Sequence, residues 1–185
     1  MTVVDSLRGK LLVASPAITD PNFRRTVVLL AEHSDEGAMG VVLDRVSEAT
    51  VGEVVSRLAW LTGQDASIFV GGPVASTSVT VLAEFREPER AAMLIEADLG
   101  FIPAETPDED ALAAAVSRTR VFAGHAGWAP GQLEDELHDD GWIVAEAERE
   151  DCFTEHPGTL WETVVRRQGG TFSLVATMPY DPTLN

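Results

Sequence analysis

Two β-type runs separated by a short polar stretch set the tightest limit on how this chain can fold. Thr26–Ala31 and Ala38–Leu43 are apolar runs, and between them lies His33-Ser34-Asp35-Glu36-Gly37. A polar loop ending in glycine suits a hairpin, so the two runs are expected to pair as antiparallel neighbours. A further strand candidate, Lys10–Ala14, precedes them across a connection that carries the turn signal Asp20-Pro21-Asn22.

The helices that follow are scattered, not inserted one after each strand. Thr50 and Glu53 form a capping box, and Val51, Val54, Val55, Leu58 and Leu61 behind them fall at helical spacing. Ile68–Gly71 and Val79–Glu84 read as strands around the turn Gly71-Gly72-Pro73. Thr106-Pro107-Asp108-Glu109 opens a second helix, with Thr106 as N-cap, that runs to about Ser117. Strand Arg120–Gly124, helix Pro130–His138, strand Trp142–Ala145 and helix Thr159–Gln168 come next. Gly169-Gly170 ends the last helix, and Thr171–Thr177 is expected to be extended. This order argues for α+β and against a regular βαβ alternation. With 185 residues, 45% of them apolar, and no linker-like stretch, the chain 1–185 is read as one domain.

Charge removes several classes of function. The 30 acidic residues outnumber the 13 basic ones, for a net charge of −17. Such a surface repels phosphate backbones and anionic lipid, so neither nucleic acid nor membrane is expected as a partner. Arg24–Arg25 and Arg166–Arg167 are the only basic clusters, and each reads as a solvated face. The single cysteine, Cys152, excludes an intramolecular disulfide and suits a reducing compartment. No signal peptide and no spanning run is visible, so the expected location is the cytoplasm.

The densest chemistry lies in Arg120–Leu137, RVFAGHAGWAPGQLEDEL. Its glycines beside Trp128 read as a turn in which backbone passes close to something bulky or adopts positive φ. In the helix beyond, Leu133 and Leu137 form an i,i+4 pair that anchors to the core, leaving Gln132 and Glu136 as a second i,i+4 pair. Arg120 is expected to pair with one of these carboxylates, and Trp128 is either a core plug or the wall of a groove. Glu134, Asp135 and Glu136 place negative charge at the helix start, which disfavours a phosphate ligand and favours a neutral or cationic group.

General catalytic signatures are absent. Ser15, His33 and Asp20 can be written as a triad, yet there is no G-x-S-x-G elbow. The simpler reading has Ser15 bonding a turn backbone and His33 packing at the hairpin mouth. Cys152 with His156 is opposed by the adjacent Glu150 and Asp151. The four histidines show no metal-ligand spacing; Glu134 with His138 and Asp139 is at best a loose site, better read as an acidic helix end. Gly71-Gly72-Pro73 is too short to cradle a pyrophosphate, so no metal and no cofactor is expected.

A series of blocks runs through Gly9–Leu12, Ala14-Ser15-Pro16, Asp20-Pro21-x-Phe23, Thr26-Val27-Val28-Leu29 and Glu32-His33. It continues in Gly37-Ala38-Met39-Gly40, Gly71-Gly72-Pro73-Val74 and Gly124-x-Ala126-Gly127-Trp128. Gly131-Gln132-Leu133-Glu134-x-Glu136, Trp142 and Trp161 complete it. With these blocks in this order, the chain resembles the AlgH (YqgE) family of largely uncharacterised bacterial proteins. The resemblance implies an α+β fold whose bifurcated, mostly antiparallel sheet forms a pseudo-barrel with helices packed outside. It implies no reaction, and the family's label of transcriptional regulator reflects a genetic association with alginate production. The chain departs from the family pattern at Asp44-Arg45-Val46, at His125 and in the tail Met178-Pro179-Tyr180-Asp181-Pro182.

Three functions are in view. The leading one is a non-enzymatic binding or regulatory module with a groove built from Ser15, Asp20, Phe23, His33, Gly72, Arg120, Trp128, Gln132, Glu134 and Glu136. Its partner would be a protein or a small neutral or cationic ligand. The rival is a hydrolase using Ser15, His33 and Glu134. Direct DNA binding ranks third, because only the family label suggests it and the net charge opposes it.

Overall fold

The computed structural model describes residues 6–177. In chain order its strands are β1 (Lys10–Ala14), β2 (Val27–Ser34), β3 (Gly37–Val42), β4 (Val46–Thr50), β5 (Ser67–Val70), β6 (Val74–Phe85), β7 (Met93–Glu96), β8 (Leu99–Phe101), β9 (Val116–Trp128) and β10 (Trp142–Glu146). The helices are α1 (Val51–Val54), α2 (Ala59–Thr62), α3 (Glu109–Ala115), α4 (Gln132–His138), α5 (Arg149–Cys152), α6 (Leu160–Gln168) and α7 (Phe172–Val175).

The expected hairpin forms. β2 and β3 pair antiparallel down to Ser34 opposite Gly37, so the loop proper is only Asp35-Glu36 and His33 lies inside the strand. The strands join in the order β10-β1-β2-β3-β9-β6-β8-β7, nearly all antiparallel. β9 is where the sheet forks. One edge pairs with β6 over most of its length, while the other pairs with β5, in parallel, at Val121–Ala123 and with β3 at Ala126–Trp128. The α+β class and the bifurcation are therefore as expected, but the sheet does not close into a barrel. Its ends, β10 and β7, are not hydrogen-bonded to each other among the described residues. Side chains span the gap instead: Arg149, just beyond β10, meets Asp98 of the β7–β8 turn at 2.6 Å.

Both faces of the β1–β2–β3 region are covered, and the two-residue period of a strand sorts its side chains between them. Leu11, Val13, Val27, Leu29 and Val41 face one core, which Leu160, Trp161, Val164 and Val165 of α6 cover. Leu12, Ala14, Val28, Leu30 and Val42 face a second core, capped by Trp128, Leu133 and Trp142. The helix carrying the candidate site, α4, thus sits on the face opposite α6.

Several local expectations are corrected. Gly124–Trp128 is not a turn but the end of the long strand β9. Gly124 adopts φ +71, and a Cβ there would come within 2.5 Å of the Gly72 carbonyl, so the glycine admits a close backbone approach at an irregular stretch of the β6–β9 pairing. The single helix expected after Thr50 is broken into α1, a 3-10 turn at Ser56–Leu58, and α2, because Val55 leaves helical geometry at φ −138, ψ 54. Asp108, not Thr106, caps α3, accepting from the Ala111 N–H at 2.9 Å. Residues expected to be extended after Gly170 include the helical turn α7. The divergent tail from Met178 lies outside the described residues.

Candidate functional site

Leu133 anchors α4 from its buried face, with Leu137 packed beside it, as the i,i+4 spacing requires. This turns Gln132 and Glu136 toward a cleft of about 450 Å³. The two are hydrogen-bonded to each other, Gln132 Nε2 donating to Glu136 Oε1 at 2.9 Å. Gln132 Oε1 in turn accepts from the Ala129 N–H at 3.1 Å, which ties the helix start to the end of β9.

Glu136 is the hub of the site. Its Oε2 accepts from two indoles at once, Trp128 Nε1 at 2.9 Å and Trp142 Nε1 at 2.7 Å. The tryptophans are 6% and 5% exposed, so each indole N–H needs an internal acceptor, and one carboxylate serves both. The rings stand edge to face at 5.9 Å, and Phe23 closes the group at 6.2 Å from Trp128 and 5.8 Å from Trp142. Trp128 is therefore core plug and cleft wall together. The rim carries Asp20 and Asp139. Trp142 and Asp139 were missed as site residues from sequence. The available signal was an aromatic following Gly141 in a strand that had to lie beside α4.

His33 and Glu134 form a neighbouring pair. His33 Nδ1 accepts from the Leu7 N–H at 2.9 Å, which leaves Nε2 to carry the proton toward Glu134 Oε1 at 2.7 Å. The His33 hydrogen bond holds the Glu134 carboxyl below the ordinary carboxylate range. Both ring nitrogens are thus engaged, and neither can take a proton from a serine. Ser15 instead accepts from the Ala17 N–H and lines a different cleft with Pro16 and Phe172, so the Ser–His–Asp set is not assembled.

Two other expected site residues lie elsewhere. Arg120 does not reach α4: its guanidinium stacks 4.2 Å over Phe69 and Nη2 donates to the Thr154 carbonyl. Burial pulls its pKa down to about 10, and Nη1 has no partner among the described residues. The reason is the direction of β9, whose residue 120 lies eight positions before Trp128, deep in the β5–β9–β6 pairing. Gly72 lines a separate cleft with Asn22 and Arg45, so the expected groove is divided by the Asp20–Phe23 turn. Glu134 is committed to His33, and no group of three or more metal-ligating side chains occurs among the described residues.

Cys152 is fully buried, and burial pushes its thiol up to about 12. A thiol-reactive dye at pH 8 is expected to leave it unlabelled in the native protein and to label it fully in urea. Rapid native labelling would show that this thiol is accessible and active.

A family model described as AlgH-like matches residues 11–173, most of the chain. The chain belongs to the AlgH-like family. It is 47% identical to a UPF0301 protein of Streptomyces coelicolor, covering 100% of this chain and 98% of that one. A UPF0301 protein of Mycobacterium tuberculosis is 39% identical, over 96% of this chain and 90% of its own. Among solved structures, protein DIP2367 of Corynebacterium diphtheriae superposes with a TM-score of 0.84 at 30% identity, over 96% and 95% of the two chains. The AlgH protein of Pseudomonas aeruginosa superposes at 0.69 with 29% identity, over 97% of each. In this AlgH-like chain the glycine-tryptophan segment and α4 contribute Gly127, Trp128, Gln132 and Glu136 to the aromatic cleft, beside Phe23 and Trp142 from elsewhere in the chain. No helix among the described residues is long and apolar enough to cross a membrane.

Proposed function

We propose that this AlgH-like protein is a non-enzymatic binding or regulatory module whose aromatic cleft receives a neutral or cationic group, from a small ligand or from a partner protein. The observation that carries the reading is the cleft of about 450 Å³ in which Phe23, Trp128 and Trp142 lie beside the carboxylates of Asp20, Glu136 and Asp139. Aromatic faces and carboxylates together favour positive charge and repel phosphate. The hydrolase reading finds no support in the geometry, since His33 has no free ring nitrogen and Ser15 is not beside it. With one cysteine, buried and free, the cytoplasm is the working place that accords with the chain.

The test uses intrinsic fluorescence titrated with choline, arginine amide and acetate, alongside affinity capture from cell extract. Saturable quenching by the cations but not by acetate is expected, weakened in Trp128→Ala and in Gln132→Ala. Gln132 is exposed, so its variant is expected to fold even where Trp128→Ala does not. Folded variants that respond as wild type and keep every captured partner would sink the proposal. A mobility-shift assay at low salt is expected to show no DNA complex.

A further inference from the structure

Residues 6–9 form a strap on the side of the molecule where the sheet ends, β10 and β7, do not pair. Just before β1, the Gly9 N–H ties the strap to β2 by donating to the Leu30 carbonyl at 2.8 Å. Arg8 ties it to β7, its Nε donating to the Ile95 carbonyl at 3.1 Å. The Lys10 N–H closes a turn on the Leu7 carbonyl at 2.9 Å, and Gly9 at φ +81 supplies the left-handed residue such a turn needs. Leu7 packs against the second core, the one capped by Trp128 and Leu133.

His33 holds the first two residues of the strap. Ser6 Oγ donates to the His33 carbonyl at 3.0 Å, and the Leu7 N–H donates to Nδ1 at 2.9 Å. From the other side of the ring, Nε2 donates to Glu134 Oε1 at 2.7 Å. The imidazole is 1% exposed, so one buried ring bridges the strap and α4. This bridge needs a neutral ring, because Nδ1 accepts only while it carries no proton. Protonation sets one N–H against another across the Leu7 contact, and one of the two donors must withdraw. The same proton turns the Nε2 contact into a charge-assisted bond to a carboxylate, which is stronger. The two partners of His33 therefore respond in opposite directions.

The charges on the surrounding elements decide which partner gives way. On α4, Glu134 is in contact, with Asp135 beside it and His138 one turn on. Within residues 6–9 the one charge is Arg8, which is engaged at Ile95. The hairpin adds Glu32, Asp35 and Glu36, all exposed, while β3 and the Gly127-Trp128 end of β9 carry no charge. An imidazolium is thus held on the α4 side, and the strap is the element that moves.

We propose that His33 is a pH-operated latch: as its ring takes up a proton, Ser6 and Leu7 are released while Glu134 and α4 stay bound. Histidine is the side chain whose ordinary charge change falls between pH 5 and 8. Release bares the part of the second core that Leu7 covers, and the Gly9 bond to Leu30, beyond the turn, serves as the hinge. The latch needs no ligand in the aromatic cleft.

NMR of the full-length protein between pH 8 and pH 5 tests the latch. The ring nitrogens of His33 report protonation, and amide exchange corrected for its intrinsic rate reports each hydrogen bond. Leu7 is expected to lose at least about tenfold of its protection as His33 titrates, whereas Gly9 and Asp135, bonded to Leu30 and Gly131, keep theirs. His33→Asn puts a non-titrating amide oxygen in the place of Nδ1, so its strap should stay closed at pH 5. Glu134→Gln removes the anion that holds the imidazolium, so opening should move to lower pH. That change, at a partly exposed side chain, tests the latch even where His33→Asn perturbs folding. A His33 ring still neutral at pH 5, or Leu7 protection unchanged through its titration, would overturn the proposal. So would loss at Gly9 and Asp135 together with Leu7, the same opening in His33→Asn, or an unmoved midpoint in Glu134→Gln.

Discussion

Replacing Glu136 with leucine is expected to destabilise the protein by about 3 kcal/mol, and replacing it with glutamine by only about 1 kcal/mol. Leucine fills the space but leaves the N–H groups of Trp128 and Trp142 without an acceptor, in side chains that are 6% and 5% exposed. Each buried donor left unsatisfied costs about 1–3 kcal/mol. Glutamine keeps one oxygen for the indoles, but its amide N–H groups oppose those of Gln132, which now donates to Oε1. Adding Trp142→Phe to Glu136→Leu should recover part of the loss, since one orphaned donor is then gone, and the two changes should be non-additive. Urea unfolding followed by circular dichroism measures all three. A Glu136→Leu protein within about 0.5 kcal/mol of wild type would mean that the indoles find other acceptors or water.

The second large effect is a pH dependence traced to Asp44. Burial pushes its carboxyl from 3.8 up to about 7, against the lowering effects of the Val27 N–H and of Arg45. The native protein therefore keeps a proton that the unfolded chain releases near pH 4. Between pH 4 and 7 the native state binds more protons than the unfolded state, so this group makes stability fall as pH rises. Each pH unit is worth about 1.4 kcal/mol, which sets a ceiling of about 4 kcal/mol over the window. Glu84 and Glu134 act with the opposite sign: their carboxyls are held low by Arg118 and His33, and the stability they contribute is lost as pH falls. Asp44→Asn isolates the buried group. The variant should be more stable than wild type at pH 8 and similar at pH 4, by chemical unfolding at each pH. Parallel stability profiles for the two proteins would show that Asp44 titrates as an ordinary surface carboxyl.

What the chain makes legible is local. The β2–β3 hairpin is readable because its strands are consecutive and its loop is polar. The Leu133–Leu137 and Gln132–Glu136 pairs are readable because neighbours four apart on a helix share a face wherever that helix sits. The end of α6 is readable because Gly169, at φ +70, supplies a conformation that terminates helices. Where apolar periodicity was not decisive, reading fails. Val51, Val55, Leu58 and Leu61 pack on one cluster as expected, yet Val54, expected on the same face, is exposed and the helix breaks at Val55.

The candidate site divides along the same line. By itself the sequence determined β1, β2, β3, β5, β10 and parts of β6 and β9, but not β4, β7 or β8; it also determined the α4 face carrying Gln132 and Glu136, the acidic helix start and the family. Only the tertiary structure decided which distant groups complete the site. His33 reaches Glu134 across 101 residues, and Trp142 joins Trp128 on one oxygen of Glu136. Arg120, eight residues from Trp128 on the same strand, is carried away to Phe69. Periodicity assigns a side chain to a face of its own element, but the partner across that face depends on strand order and on the fork at β9. Those arise from pairings far apart in the chain, which no local pattern encodes.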